Sequence, residues 1–170
     1  MKLCSFFIMR MATLGLWSIA DVAAAISVST KDFVEQVSVA NEFEIETSKL
    51  ALEKSQNKGI KAFAQRMIDD HTKTGKELQS VLESSPSGLE AKEKLDNEHQ
   101  KIMDKLQSAS TDNFNKQYID VQTDAHKKAV SLFKDYAKNG DDAALKGFAT
   151  QTLPTLQEHL EHIKRIKNKE

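Results

Sequence analysis

Five histidines and a few carboxylates at helical spacing carry the chemistry open to this sequence. Glu44, His71, His126 and His159 each fall on an otherwise apolar stripe, one on each of four long periodic segments. Tyr118 and Gln122 stand two turns and one turn before His126, and Asp70 precedes His71. Imidazole and carboxylate are ligands for iron, zinc or manganese, and the cores of helical bundles are places where such ligands converge. The same groups have a second reading as a hydrogen-bonded network that needs no ion, since a buried charge is costly unless paired. In that reading Glu44 pairs with His71, and Gln122 and Tyr118 extend the network from His126. Asp70 either bonds a histidine ring nitrogen and fixes its tautomer, or is a solvated acid on a helix face. His159 and His162 stand one turn apart, the spacing of a surface clip, but His162 reads as facing water. His99 lies in a charged stretch and reads as exposed.

Other chemistries are excluded by residue type. The single Cys4 permits no disulfide framework and no thiolate zinc site. No Gly-rich phosphate loop is present, and no serine has a histidine and an acid in a nucleophilic setting. Di-iron bundle enzymes place Glu-x-x-His on two helices and a Glu on each of two others. Here Ile68 stands three residues before His71, Leu156 three before His159, and Gln122 precedes His126. With Glu44 the one clear inward carboxylate, two ferric ions would lack charge compensation, so the chain is not read as an enzyme.

Four helices must position these groups. Phe33, Val37, Ala40, Glu44, Thr47 and Ala51 form the first stripe, behind a cap at Ser29 or Thr30. Ser55 to Gly59 is a turn. Ile60, Phe63, Met67, His71, Leu78 and Leu82 form the second stripe, ended by Ser84 to Gly88. Leu89 to Gln107 is charged, with sparse apolar positions, and predicts an exposed connecting helix. Asp112 or Asn113 opens the next helix, whose stripe is Phe114, Tyr118, Val121, His126 and Phe133. Lys138 to Asp142 is a stop followed by a new cap. Leu145, Phe148, Leu153, Leu156, His159 and Ile163 line the last helix, in which Pro154 should produce a kink or a loose turn. The fold class is all-α: a ferritin-like four-helix bundle of two antiparallel hairpins with an extra connecting helix, whose long connection can cross the bundle. Counted from the turns, Glu44, His71 and His126 stand nearly level. His159 lies some six residues further out, an offset of roughly 9 Å.

The chain has 170 residues, one domain's worth, with 24 Lys and Arg against 25 Asp and Glu. That balance argues against a nucleic-acid partner and gives no field to select an anionic membrane. Lys2 and Arg10, an apolar Met11 to Ala20, and Ala23 to Ala25 read as a signal peptide over residues 1–25, cleaved after about Ala25. Residues 26–170 then form the bundle domain, exported and periplasmic or secreted, without a later span apolar enough for a membrane. The sequence names no partner; a protein partner or a homodimer fits the remaining faces.

Glu44-Ile45-Glu46, Leu50-Ala51, Phe63 to His71, Tyr118 to His126 and Leu153-Pro154-Thr155-Leu156-Gln157-Glu158-His159-Leu160 together resemble one family. It is the exported bacterial ferritin-like family catalogued as domain of unknown function 4142, whose members carry periplasmic or outer-membrane labels. The resemblance runs from about Phe33 to His162. It implies a ferritin-like bundle and export from a bacterial cell, and it carries no established activity. The outer-membrane label finds no barrel strands here. Two functions follow: a non-catalytic exported bundle serving binding or envelope stress tolerance, or a metal-binding protein using the inward Glu/His cluster.

Overall fold

The structure, a computed structural model, describes residues 28–92 and 94–169. The leader over residues 1–25 lies outside the described residues. The elements are α1 (Thr30–Lys54), α2 (Lys58–Ser84), α3 (Asn97–Ser108), α4 (Thr111–Asn139) and α5 (Ala143–Lys167). Among the described residues there is no strand.

Side-chain caps fix the starts of four of these helices by accepting from backbone N–H groups that lack a helical partner. Ser29 accepts from Asp32 N at 3.2 Å, Asn57 from Gly59 and Ile60 N, Asp96 from His99 N, and Asp142 from Leu145 N. The third long helix, α4, starts at Thr111 behind Ser110, slightly ahead of the expected Asp112 or Asn113. α5 continues through Pro154, so the missing N–H does not end it. The connecting helix is shorter than expected. The chain is irregular over Ser85 to Lys92, past Gly88 at φ +64°, and over Lys94 to Leu95, and becomes helical only at the Asp96 cap.

The ends of the helices reveal the topology. Thr30, at the start of α1, meets Tyr136 and Asp141 at the end of α4, while Ser55 after α1 donates to Asn115 near the start of α4. Ser85 after α2 donates to Asp142 before α5, and Arg66 pairs with Glu158. Neighbouring long helices are therefore antiparallel around the whole bundle, and α2 and α4 run the same way on one diagonal. That requires the segment between them to travel the length of the molecule. It does so along α1, through Lys92 to Glu35 at 2.8 Å, His99 against Phe43, and Lys54 to the carbonyls of Gln107 and Ala109. This is the single long crossover expected from the sequence.

The apolar core comes in two parts. One gathers Leu50, Phe63, Met67, Phe114, Tyr118 and Ile163. The other gathers Phe33, Val37, Leu78, Phe133, Leu145 and Leu156 at the opposite end. On every long helix, buried polar residues separate the two: Glu44, Thr47 and Ser48 on α1, His71 on α2, Gln122, Thr123 and His126 on α4, and His159 on α5. Burying each core side chain contributes about 1.5–3 kcal/mol, so the two apolar parts stabilise the bundle on either side of a costly polar layer. Gly140 shows how tightly one end closes. A Cβ there would stand 2.6 Å from Tyr136 Cε1, and the Tyr136 ring is stacked on Phe33 with centroids 3.8 Å apart.

Candidate metal centre

α2, α4 and α5 each bring one imidazole to the polar layer. The ring centroids of His71 and His126 are 6.0 Å apart, those of His71 and His159 5.7 Å, and those of His126 and His159 5.4 Å. One nitrogen from each ring can be chosen so that all three lie within 4.8 Å of one another. His126 and His159 are 1% exposed and His71 6%. The rings sit between the two apolar core parts, with Phe63 edge-on to His126 at 6.2 Å.

Each ring is held from behind by an oxygen that can only accept. His71 Nδ1 donates to Asn41 Oδ1 at 3.1 Å, His126 Nδ1 to the Gln122 carbonyl at 2.9 Å, and His159 Nε2 to Asp70 Oδ2 at 2.8 Å. The nitrogen opposite each donor is then a bare lone pair: His71 Nε2, His126 Nε2 and His159 Nδ1. All three are buried without a hydrogen-bond partner among the described residues. Burial, reinforced by the neighbouring His126 and His159, holds His71 well below the ordinary histidine pKa. Burial lowers His159 to about 4, although its bond to Asp70 pulls the other way. Near neutral pH these two rings are uncharged, the form that ligates metals.

Glu44 stands beside the tripod rather than in it. Its Oε1 is 3.6 Å from His126 Nδ1, too long for a hydrogen bond, and its Oε2 is buried without a partner. Burial raises its pKa, opposed by the His126 ring and the Gln122 amide. The expected pairing of Glu44 with His71 is therefore corrected: Glu44 faces α4, and His71 takes Asn41 instead. Tyr118 and Gln122 do not extend outward from His126 through their side chains either. Tyr118 shares a hydrogen bond with Ser48 at 3.0 Å, and the Gln122 amide donates to Thr47 at 3.1 Å, so both turn back to α1. Asp70 does bond a ring nitrogen, but on α5, not on its sequence neighbour His71. Burial pushes Asp70 up, but bonds from His159 and from Arg66 Nε at 3.1 Å outweigh it and hold the carboxyl below its ordinary range.

His159 joins the layer, and the 9 Å offset is not present. His126 lies 13 residues before the end of α4, and His159 16 residues after the start of α5. The true offset is three residues, about 4.5 Å along the axis. Side chains lean toward the N-terminus of their own helix, so two rings on antiparallel helices lean in opposite directions and close it. His162 is half-buried against Phe63, edge-on at 5.3 Å, rather than turned to water. His99 likewise packs on Phe43 at 4.8 Å while bonding Asp96. Sequence reasoning missed Asn41. It lies one turn before Glu44, and only its position between α1 and α2 gives it a role.

The donor set fits a transition-metal ion. Nitrogens about 2.0–2.1 Å from a tetrahedral ion stand about 3.3 Å apart, so ring shifts of about 1 Å would close the tripod. The oxygen acceptors behind each ring are what a ligating histidine needs to fix its tautomer.

Comparison with known proteins gives the following. Residues 19–166 match the family described as a domain of unknown function, DUF4142. CopM in its Cu(II)-bound form superposes with a TM-score of 0.71 at 16% identity, covering 85% of this chain and 99% of CopM. CopM in its Ag-bound form gives 0.68 at 17% identity, covering 84% and 97%. A DUF305 fragment from Deinococcus radiodurans gives 0.69 at 14% identity, covering 81% and 94%. At these identities the likeness shows the all-helical fold. No curated protein matches in sequence.

Proposed function

We propose that this chain, which belongs to the DUF4142 family, is a metal-binding helical bundle that holds one transition-metal ion between His71, His126 and His159. The observation that carries this reading is the state of the three rings. Each is anchored from behind by an oxygen acceptor, and each leaves a buried lone pair with no partner. Leaving a buried polar atom unpaired costs about 1–3 kcal/mol, so a layer serving stability alone would pair its members with one another. Three imidazole ligands suit copper, zinc, iron or nickel, whereas manganese favours oxygen ligands that the tripod does not supply. The CopM structures, which share this fold, hold Cu(II) and Ag, and this makes both ions the first to test.

The reading is of binding rather than catalysis. Glu44 and Asp70 touch the outer nitrogens of His126 and His159, behind the rings, where a general base could not reach a molecule on the ion. Among the described residues no helix is long and apolar enough to cross a membrane. We place the bundle outside the cytoplasm after export, on the strength of the signal-like residues 1–25. A role in envelope metal tolerance follows from these two readings together.

The test is metal content. The untagged chain from Ile26, loaded with copper, zinc or iron and desalted, should retain one equivalent of a preferred ion by elemental analysis. His71→Gln and His126→Gln should retain none while keeping their helical circular dichroism. Folded wild-type protein that stays empty with every ion would overturn the reading.

A further inference from the structure

We propose that the tripod is built for a monovalent ion, Cu(I) or Ag(I), in preference to a divalent one; this rests on the metal-binding reading above. The argument is a count of charge and of ligands. Three imidazoles bring no charge. Two carboxylates touch the rings, Asp70 behind His159 and Glu44 behind His126. Asp70 is already matched, because the same Oδ2 that accepts from His159 also accepts from the Arg66 guanidinium at 3.1 Å, while Glu158, the other acid on that guanidinium, is 68% exposed and solvated. That leaves Glu44 as the one carboxylate able to balance an ion. Ionised, it neutralises a single positive charge and leaves a dipositive ion half uncompensated. Protonated, it leaves either ion uncompensated, and again the monovalent one less so. The preference therefore holds in both protonation states.

The surroundings make that difference matter. The cost of burying an ion grows as the square of its charge, about fourfold from one charge to two, and none of the three rings is more than 6% exposed. Apolar core closes it above and below, and two of the three rings are 1% exposed. The ligand count points the same way. Zinc in a closed site takes four ligands. Among the described residues no fourth His, Cys, Asp or Glu atom joins the three imidazole nitrogens. A dipositive ion would have to carry water or an anion into the apolar core to complete its shell and its charge.

The experiment uses the full chain from Ile26. Ag(I) binding is measured by calorimetry, Cu(I) binding anaerobically against a chromogenic Cu(I) chelator, and Zn(II), Co(II) and Cu(II) binding by calorimetry under matched buffer. The same titrations are run on His126→Gln and on His159→Gln, with circular dichroism to select folded variants. The expected result is one equivalent of Ag(I) and of Cu(I), bound at least 100-fold more tightly than any of the divalent ions. The bound ion should be retained against a 100-fold excess of Zn(II), and binding should be lost in the folded variants. A divalent ion that binds the wild type as tightly, and is lost in the variants, would overturn the valence preference while leaving the metal site standing. Binding of no ion, or binding that the variants leave unchanged, would overturn both.

Discussion

Lowering the pH should unfold this bundle earlier than its carboxylates alone would. The unfolded chain protonates His159 near the ordinary value of 6.5, whereas the folded chain keeps the ring neutral down to about 4. Between those values the unfolded state binds more protons, so stability is fully present above pH 6.5 and is lost as pH falls toward 4. At about 1.4 kcal/mol per pH unit, His159 alone removes about 3.4 kcal/mol over that window, a large share of the 5–15 kcal/mol typical of a domain. His71, held well below 6.5 by burial, adds a loss of the same sign. Glu44 works the other way, because its raised pKa lets the folded state take up a proton earlier than the unfolded one, which offsets part of the loss near its own titration. The His159→Gln variant separates these contributions, since it removes one of them and leaves His71 and Glu44 in place. The assay is urea unfolding followed by circular dichroism at pH 7.5, 6.5, 5.5 and 4.5, with a chelator present. The wild type should lose stability more steeply than His159→Gln across that range, by about 1 kcal/mol for each pH unit. Equal slopes would refute the reasoning and mean that the ring is hydrated in the folded protein.

The other expectations concern the ion, the ring anchors and the packing. An ion at 100 times its dissociation constant should stabilise the wild type by about 2.7 kcal/mol, raising Tm by several degrees, and should leave the Tm of His126→Gln unmoved; thermal scans at graded Ag(I) check this. Asp70→Asn, which keeps all three ligands but weakens the anchor on His159, should lower metal affinity by about 10–100-fold without loss of the 1:1 stoichiometry, read by competitive titration. Gly140→Ala should cost about 1–3 kcal/mol in urea unfolding, because its Cβ would stand 2.6 Å from the Tyr136 ring and force it off Phe33. Asp142→Ala, which removes the cap of α5 and the partner of Ser85, should cost about 1 kcal/mol in the same assay.

The helices and the residues worth attention were legible without a structure. Apolar spacing of three and four is a local property, and so are the caps at Ser29 and Asp142; together they determine where each helix runs and which face it buries. Glu44, His71, His126 and His159 stood out for the same local reason, as polar side chains on apolar faces. Asn41 did not, because Ala40 beside it already fills that turn of the stripe, and its bond to His71 exists only where α1 lies against α2. The partners themselves were beyond the sequence. Asp70 looks as though it should serve His71, one residue away, but successive residues on a helix point about 100° apart, and the acid reaches His159 on α5 instead. Glu44 meets His126 rather than His71 because its turn of α1 faces α4. What the sequence determined is therefore everything set by rotation about one helix axis. The tertiary structure decided which rings meet, which nitrogen each leaves bare and which carboxylate stands behind it. Those depend on how far one helix slides and turns against another, and that is set by two apolar cores packing at once and by a crossover that makes every neighbouring pair of long helices antiparallel.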